Sequence, residues 1–155
     1  MYKKWLTKEQ AFQKLKHFCG YQERCHSEVK EKLYSLGISK NEHDEIVSTL
    51  IEQNYLNEER FAIAFVGGKF RIKQWGRIKI KYELKQKQVS EYNIKKAMRE
   101  IDETAYRNTL QKLYEEKWNS LKGEKNRFTK LTKTRDYLLQ KGYEREMVEK
   151  LISAK

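Results

Sequence analysis

Proline is absent from all 155 residues. A chain without it loses no backbone donor and meets no ring clash, so long uninterrupted helices with short connections are favoured. Cysteine occurs only as Cys19 and Cys25, too few for a disulfide framework, and a cytoplasmic location is the default. No apolar run approaches the length that crosses a bilayer, so no membrane partner is expected. The opening MYKKWLTKEQ turns polar after Leu6 and lacks the apolar core of a secretory signal. GxxxxGK(S/T), HExxH and a glycine-rich dinucleotide fingerprint are all missing. No catalysis and no cofactor are therefore expected.

What the chain does contain is charge. The hydrophobic fraction is 38% and the charged fraction 36%, which suits an elongated body whose helices each bury a narrow stripe. Ten Tyr and three Trp exclude a disordered chain, which would be poor in aromatics. The net charge of +12 is unevenly spread. Between positions 69 and 99 stand eleven Lys/Arg against Glu83 and Glu91 alone, so +9 of the excess sits in one middle segment. The flanks are nearly neutral. Such asymmetry points to an anionic partner met at the centre of the chain.

The helical pattern repeats. Thr7 and Gln10 form a capping box for a helix with Ala11, Phe12, Leu15 and Phe18 on one face, ended by Gly20 and the polar YQERCH stretch. Ser27 caps a second helix carrying Val29, Leu33 and Leu36, with Gly37 as its stop. Ser39 and Glu42 form a box for a third, in which Ile46, Val47, Leu50 and Ile51 bury together. The order then returns: Asn57 caps a helix with Phe61, Ala64, Phe65 and Ile72, a helix from about Gly76 buries Ile80 and Leu84, and Ser90 starts one with Ile94, Ala97, Met98 and Ile101 inside. In the last set, Tyr106, Leu110, Leu113, Tyr114 and Leu121 line one helix. Phe128, Leu131 and Leu138 line the next, which Gly142 closes, and Met147, Val148, Leu151 and Ile152 the last.

Leu33, Leu84 and Leu138 correspond across the sets. So do the trios His43/Ile46/Val47, Ile94/Ala97/Met98 and Val148/Leu151/Ile152. The spacing predicts an all-α chain of three tandem three-helix repeats, over 1–54, 55–101 and 102–155. Two features break the pattern. Gln88 stands where the other sets have Gly37 and Gly142, and Gly67-Gly68 interrupts a helix at about 1 kcal/mol per glycine relative to Ala. Close packing against a neighbouring backbone explains the pair; a hinge is the functional alternative.

The chemistry-bearing residues lie in the middle. Arg77, Lys81 and Lys85 share one stripe beside the buried Ile80 and Leu84, with Lys79 on the other side. With Arg71, Lys73, Lys95 and Lys96 they form a candidate surface for phosphates or acidic side chains, whose affinity falls steeply with salt. Trp75 and Phe70 beside them either stack on a partner or pack at a helix seam. Glu58-Glu59 diverge by about 100° on a helix, so they read as first-turn acids rather than metal ligands. His17, Cys19, Cys25 and His26 are zinc-ligand types at one turn, but their spacing matches no familiar zinc pattern; no metal is expected. His43 reads as a partly exposed helix residue.

The run Tyr55-Leu56-Asn57-Glu58-Glu59-Arg60-Phe61-Ala62, then basic residues, Gly76-Arg77-Ile78 and Glu83-Leu84, resembles the central motif of the RecX family of recombination regulators. Arg24-Cys25-His26-Ser27 leading to Lys32-Leu33 resembles that family's first-repeat motif. The likeness covers about 12–151 and is strongest over 56–98. Asn57 departs from the aspartate often found there, and Gln88 from the usual glycine. The resemblance implies a monomeric, curved row of three-helix repeats acting in DNA repair and the SOS response without catalysis. It implies binding in the groove of RecA recombinase filaments on DNA, restraining ATP hydrolysis, filament growth and strand exchange, with weak affinity for single-stranded or duplex DNA. Reversing charge at Arg77 and Lys81 is then expected to release the inhibition. The alternative is a direct DNA-binding helix-turn-helix protein reading bases through Asn93, Lys95, Lys96 and Arg99.

Overall fold

The computed structural model describes residues 6–154. Residues 1–5, on which the signal-segment reading partly rests, lie outside the described residues. Among the described residues there are nine helices and no strand: α1 (Lys8–Tyr21), α2 (His26–Ser35), α3 (Lys40–Glu52), α4 (Glu58–Arg71), α5 (Arg77–Gln86), α6 (Glu91–Met98), α7 (Glu103–Ser120), α8 (Arg127–Lys141) and α9 (Arg145–Ser153). The fold is all-α, built from three-helix sets in tandem.

The register across the sets is visible in burial. Leu33, Leu84 and Leu138 are each fully buried, and Ile46, Ile94 and Val148 lie inside with them. Helix starts follow local chemistry. The Thr7 hydroxyl accepts from Gln10 N at 3.1 Å while the Gln10 side chain accepts from Thr7 N at 2.9 Å. Asn57 caps α4 through Arg60 N, and Ser90 caps α6 through Asn93 N. Two expected caps are different. Helix α2 begins one residue after Cys25, whose N–H is met by the Glu28 carboxylate, and the Ser27 hydroxyl instead donates to Lys87 O at 2.7 Å. Ser39 is the N-cap of α3 without a side-chain cap bond, so no box with Glu42 forms.

Gly37 and Gly142 take left-handed conformations as helix stops, and Gln88 adopts φ +63° in the equivalent place. A side chain in that region costs roughly 1–2 kcal/mol. The middle set tolerates it because Val89 N still reaches Leu84 O and closes the helix end.

Several apolar residues placed inside by periodicity are outside. Ile51, Ile72 and Phe128 are 45%, 79% and 76% exposed, and Ala64 is exposed. Ile51 and Phe128 sit at the edges of their stripes, and α4 ends at Arg71, before Ile72. Leu121 follows α7 as its C-cap, and α1 runs through Gly20 to Tyr21. His43 is the reverse case. It is buried, its Nε2 lies 2.9 Å from Ile38 O, and its ring meets Tyr34 edge-on.

The chain forms two compact units. One holds the described residues up to Ala64 with Leu84–Lys96, the other Phe65–Glu83 and the described residues from Ala97 on. The first unit's core includes Leu15, Val29, Leu33, Ile46 and Leu50. The second packs Tyr106, Leu110, Tyr114, Leu138, Tyr143 and Val148. Burial, above all, pushes the Tyr106, Tyr114 and Tyr143 phenols above their ordinary value near 10. Unfolded phenols ionise near pH 10 while these keep their protons. Their contribution to stability is therefore complete below about pH 10 and is lost as pH rises toward the folded values. Titrated by tyrosinate absorbance, the second unit should hold these phenols protonated until it unfolds in alkali; a smooth titration of every tyrosine near pH 10 would contradict this burial.

Gly67-Gly68 has a different cause from close backbone packing. A Cβ at Gly68 meets nothing within 4 Å, and one at Gly67 meets only the Arg71 guanidinium, the nearest atom at 2.8 Å. Helix α4 runs through both without interruption. Gly68→Ala should therefore stabilise the fold by about 1 kcal/mol in urea denaturation, and a loss of stability would reveal a contact or bend that needs the glycine.

Candidate interaction surface

In the second unit the turn from α4 to α5 is fastened to the end of α8. Gly76 N donates to Lys141 O at 2.8 Å and Ile78 N to Gly142 O at 2.9 Å. The Tyr143 hydroxyl donates to Gln74 O, and Lys141 Nζ to Lys73 O at 3.0 Å. The fastening depends on two glycines. A Cβ on Gly76 would stand 2.3 Å from the Gly142 carbonyl, and one on Gly142, where φ is +102°, 2.4 Å from Lys79 Cβ.

This turn carries Trp75, which is half-buried. Lys69 and Lys79 place their ammonium groups 5.0 and 4.5 Å from its ring centroid. Beside it, Trp75, Lys79, Tyr137, Gln140 and Lys141 line a depression of about 210 Å³ without a carboxylate. Lys117 and Lys141 stand over Tyr137 at 5.0 and 6.0 Å. Lysines and rings therefore share one pre-formed surface. Lys73 and Lys81 are exposed, as are Ile78 and Tyr82 at 56% and 59%.

Arg77 lies elsewhere than the stripe with Lys81 suggested. Its side chain is 23% exposed. Its Nη1 is 2.6 Å from Glu144, its Nη2 bonds Glu103, and its guanidinium lies 3.8 Å from the Tyr106 ring centroid. Tyr106 donates its hydroxyl proton to Glu144 and accepts from Arg77 N at 2.9 Å. Two carboxylates from distant positions hold this cation inside the unit. Reversing its charge would disrupt that network before it reported on any partner. Arg71 folds back over Gly67 of its own helix.

In the first unit, Lys96 pairs with Glu59 at 3.0 Å and Lys85 with Glu91 at 3.5 Å. Lys95 is exposed. Cys19 and Cys25 are buried as free thiols, burial pushing the Cys19 thiol up to about 11. His26 Nδ1 faces Glu58 at 3.0 Å. Among the described residues no three His, Cys, Asp or Glu converge as a metal-holding group, and no helix is long and apolar enough to cross a membrane.

The sequence reading missed Tyr137, Lys117 and Lys141, which lie in the third set, whose thirteen Lys/Arg against nine Asp/Glu leave an excess of +4, smaller than the +9 between 69 and 99. The Tyr137–Lys141 spacing of four on one helix was the available signal.

Two family models match the chain: "RecX, second three-helix domain" over residues 57–98 and "RecX, third three-helix domain" over 105–152, together more than half its length. The chain belongs to the RecX family. The regulatory protein RecX of Clostridium tetani is 31% identical over 127 residues, covering 81% of this RecX-family chain and 58% of the relative. That of Clostridium perfringens strain SM101 is 36% identical over 117 residues, covering 75% and 54%. The chain thus spans somewhat over half the length of these relatives. The crystal structure of RecX from Lactobacillus salivarius superposes with a TM-score of 0.82 at 23% identity, covering 95% of both chains. Another crystal structure of regulatory protein RecX reaches 0.84 at 20% identity, over 96% of this chain and 72% of the other. Both show the RecX fold.

Proposed function

We propose that this chain is a cytoplasmic, non-catalytic regulator that binds RecA recombinase filaments on DNA and restrains their ATP hydrolysis, extension and strand exchange. The middle repeat, 55–101, presents the main contact. The observation that carries the reading is the lysine pair held over Trp75 on a turn fastened by backbone hydrogen bonds. Cations fixed in this way lose little side-chain entropy on binding, so their attraction for phosphate or carboxylate is retained more fully. Trp75 acts chiefly by positioning Lys69 and Lys79. Lys73, Lys79 and Lys81 supply charge, Lys141 and Tyr137 extend the surface, and exposed Ile78 and Tyr82 give apolar anchors for a protein partner. Arg77 is a structural cation in this scheme. Lys85, Lys95 and Lys96 belong to the first unit, where Glu91 and Glu59 partly neutralise the first and last, and add charge there.

Binding of the labelled chain to naked duplex and to RecA-coated single strand tests the reading. Preference for the coated strand, weakening as salt rises, is expected. Sequence-selective duplex binding without RecA would replace it with the helix-turn-helix alternative.

A further inference from the structure

The first unit carries a separate groove between α1 and α2, of about 550 Å³, within a flank whose net charge is small. Phe18 and Leu36, both packed against the unit's core, supply its apolar floor. Lys14, Arg24 and Lys32 line it, and no carboxylate does. Arg24 is fixed in place: its Nε donates to Phe18 O at 3.1 Å, and its guanidinium lies 3.7 Å from the Phe18 ring centroid. Lys32 stands 5.6 Å from the same centroid. Two neighbouring acids are committed elsewhere, Glu23 to Arg60 at 2.7 Å and Glu28 to Lys87 at 3.2 Å. Lys14 and Arg24 therefore keep their field in a concavity that concentrates it, while Lys32 also lines an adjoining depression with Glu28 and Glu31.

We propose that this groove binds an acidic peptide segment with one apolar anchor, the anchor seated on Phe18 and Leu36 and its carboxylates meeting Lys14, Arg24 and Lys32. Charge complementarity selects an acidic occupant, and the apolar floor favours a peptide over a nucleic acid strand. Arg24 already stands over the Phe18 ring at 3.7 Å, which leaves less of that ring for a base to stack on, while Phe18 and Leu36 still line the groove. An apolar side chain needs no such platform, only contact with the floor.

The full chain is titrated against a fluorescein-labelled Glu-rich peptide with one central Leu, the same peptide with Ser for Leu, and a labelled single-stranded oligonucleotide. The Leu peptide should bind, the Ser peptide about tenfold more weakly. Lys14→Glu with Lys32→Glu should weaken the Leu peptide about tenfold at unchanged circular dichroism, while Lys122→Glu with Lys125→Glu, the same change of charge at exposed positions of the second unit, leaves it unchanged. Should the double reversal fail to fold, Lys14→Gln with Lys32→Gln should give a smaller loss of the same kind. Equal peptide affinity in the folded groove variant and the wild-type chain would overturn the proposal. Tighter binding of the oligonucleotide, lost in that variant, would overturn it in favour of a nucleic acid strand. No recombinase is present, so the outcome is separate from that of the filament reading.

Discussion

Gly76→Ala should destabilise the second unit by about 3 kcal/mol. The added methyl carbon would sit 2.3 Å from the Gly142 carbonyl carbon and oxygen and 2.5 Å from Tyr143 N. These are backbone atoms, so no rotamer change relieves the overlap. The α4–α5 turn must move off α8, breaking the bonds from Gly76 N to Lys141 O and from Ile78 N to Gly142 O. Buried polar groups left unpaired add to the steric penalty. Gly68→Ala, eight residues away in sequence, is the control, because its methyl enters open space. Urea denaturation of the two variants should shift in opposite directions. Equal shifts would mean that the fastening at Gly76 is looser than its geometry indicates.

Lys79→Glu with Lys81→Glu should abolish most inhibition of RecA-filament activity while leaving helicity and unfolding midpoint near the wild-type values. Lys79 stands over Trp75 and lines the depression beside Tyr137, and Lys81 is exposed on α5. Among the described residues neither shares an ion pair like that of Arg77, so their loss leaves no buried carboxylate unpartnered. Reversal at two sites turns attraction into repulsion and should weaken filament binding tenfold to a hundredfold, more at low salt than at high. Arg77→Glu should differ in kind. It strands Glu103 and Glu144 beside a third carboxylate and should lower the unfolding midpoint. Inhibition lost only in proportion to lost stability, in both variants alike, would deny the lysines a direct contact.

Most of the fold was legible in the residues. Leu33, Leu84 and Leu138 repeat, each followed by a left-handed stop that is glycine twice and Gln88 once, and local periodicity suffices to find them because helices are local structures. The misses lie at stripe edges and a helix end. Ile51 and Phe128 satisfy the period, yet whether an edge position is covered depends on a neighbouring helix that periodicity cannot see, and Ile72 falls just past the end of α4. His43 erred the other way, since its burial needs the Ile38 carbonyl. The candidate surface divides similarly. The charge excess around Lys73, Lys79 and Lys81 is a composition signal, whereas Arg77's capture by Glu103 and Glu144 is a tertiary event. Tyr137 and Lys141 join the surface through the Gly76–Gly142 approach, which two glycines in separate repeats announce only once the chain is folded.

The most direct measurement is RecA-dependent ATP hydrolysis on single-stranded DNA with this chain present at substoichiometric ratio. Hydrolysis should slow with the wild-type chain and with Gly68→Ala, and continue at the uninhibited rate with the Lys79→Glu, Lys81→Glu variant. Unslowed hydrolysis with the wild-type chain, or equal slowing by the lysine variant, would contradict the proposal that this basic surface holds the filament.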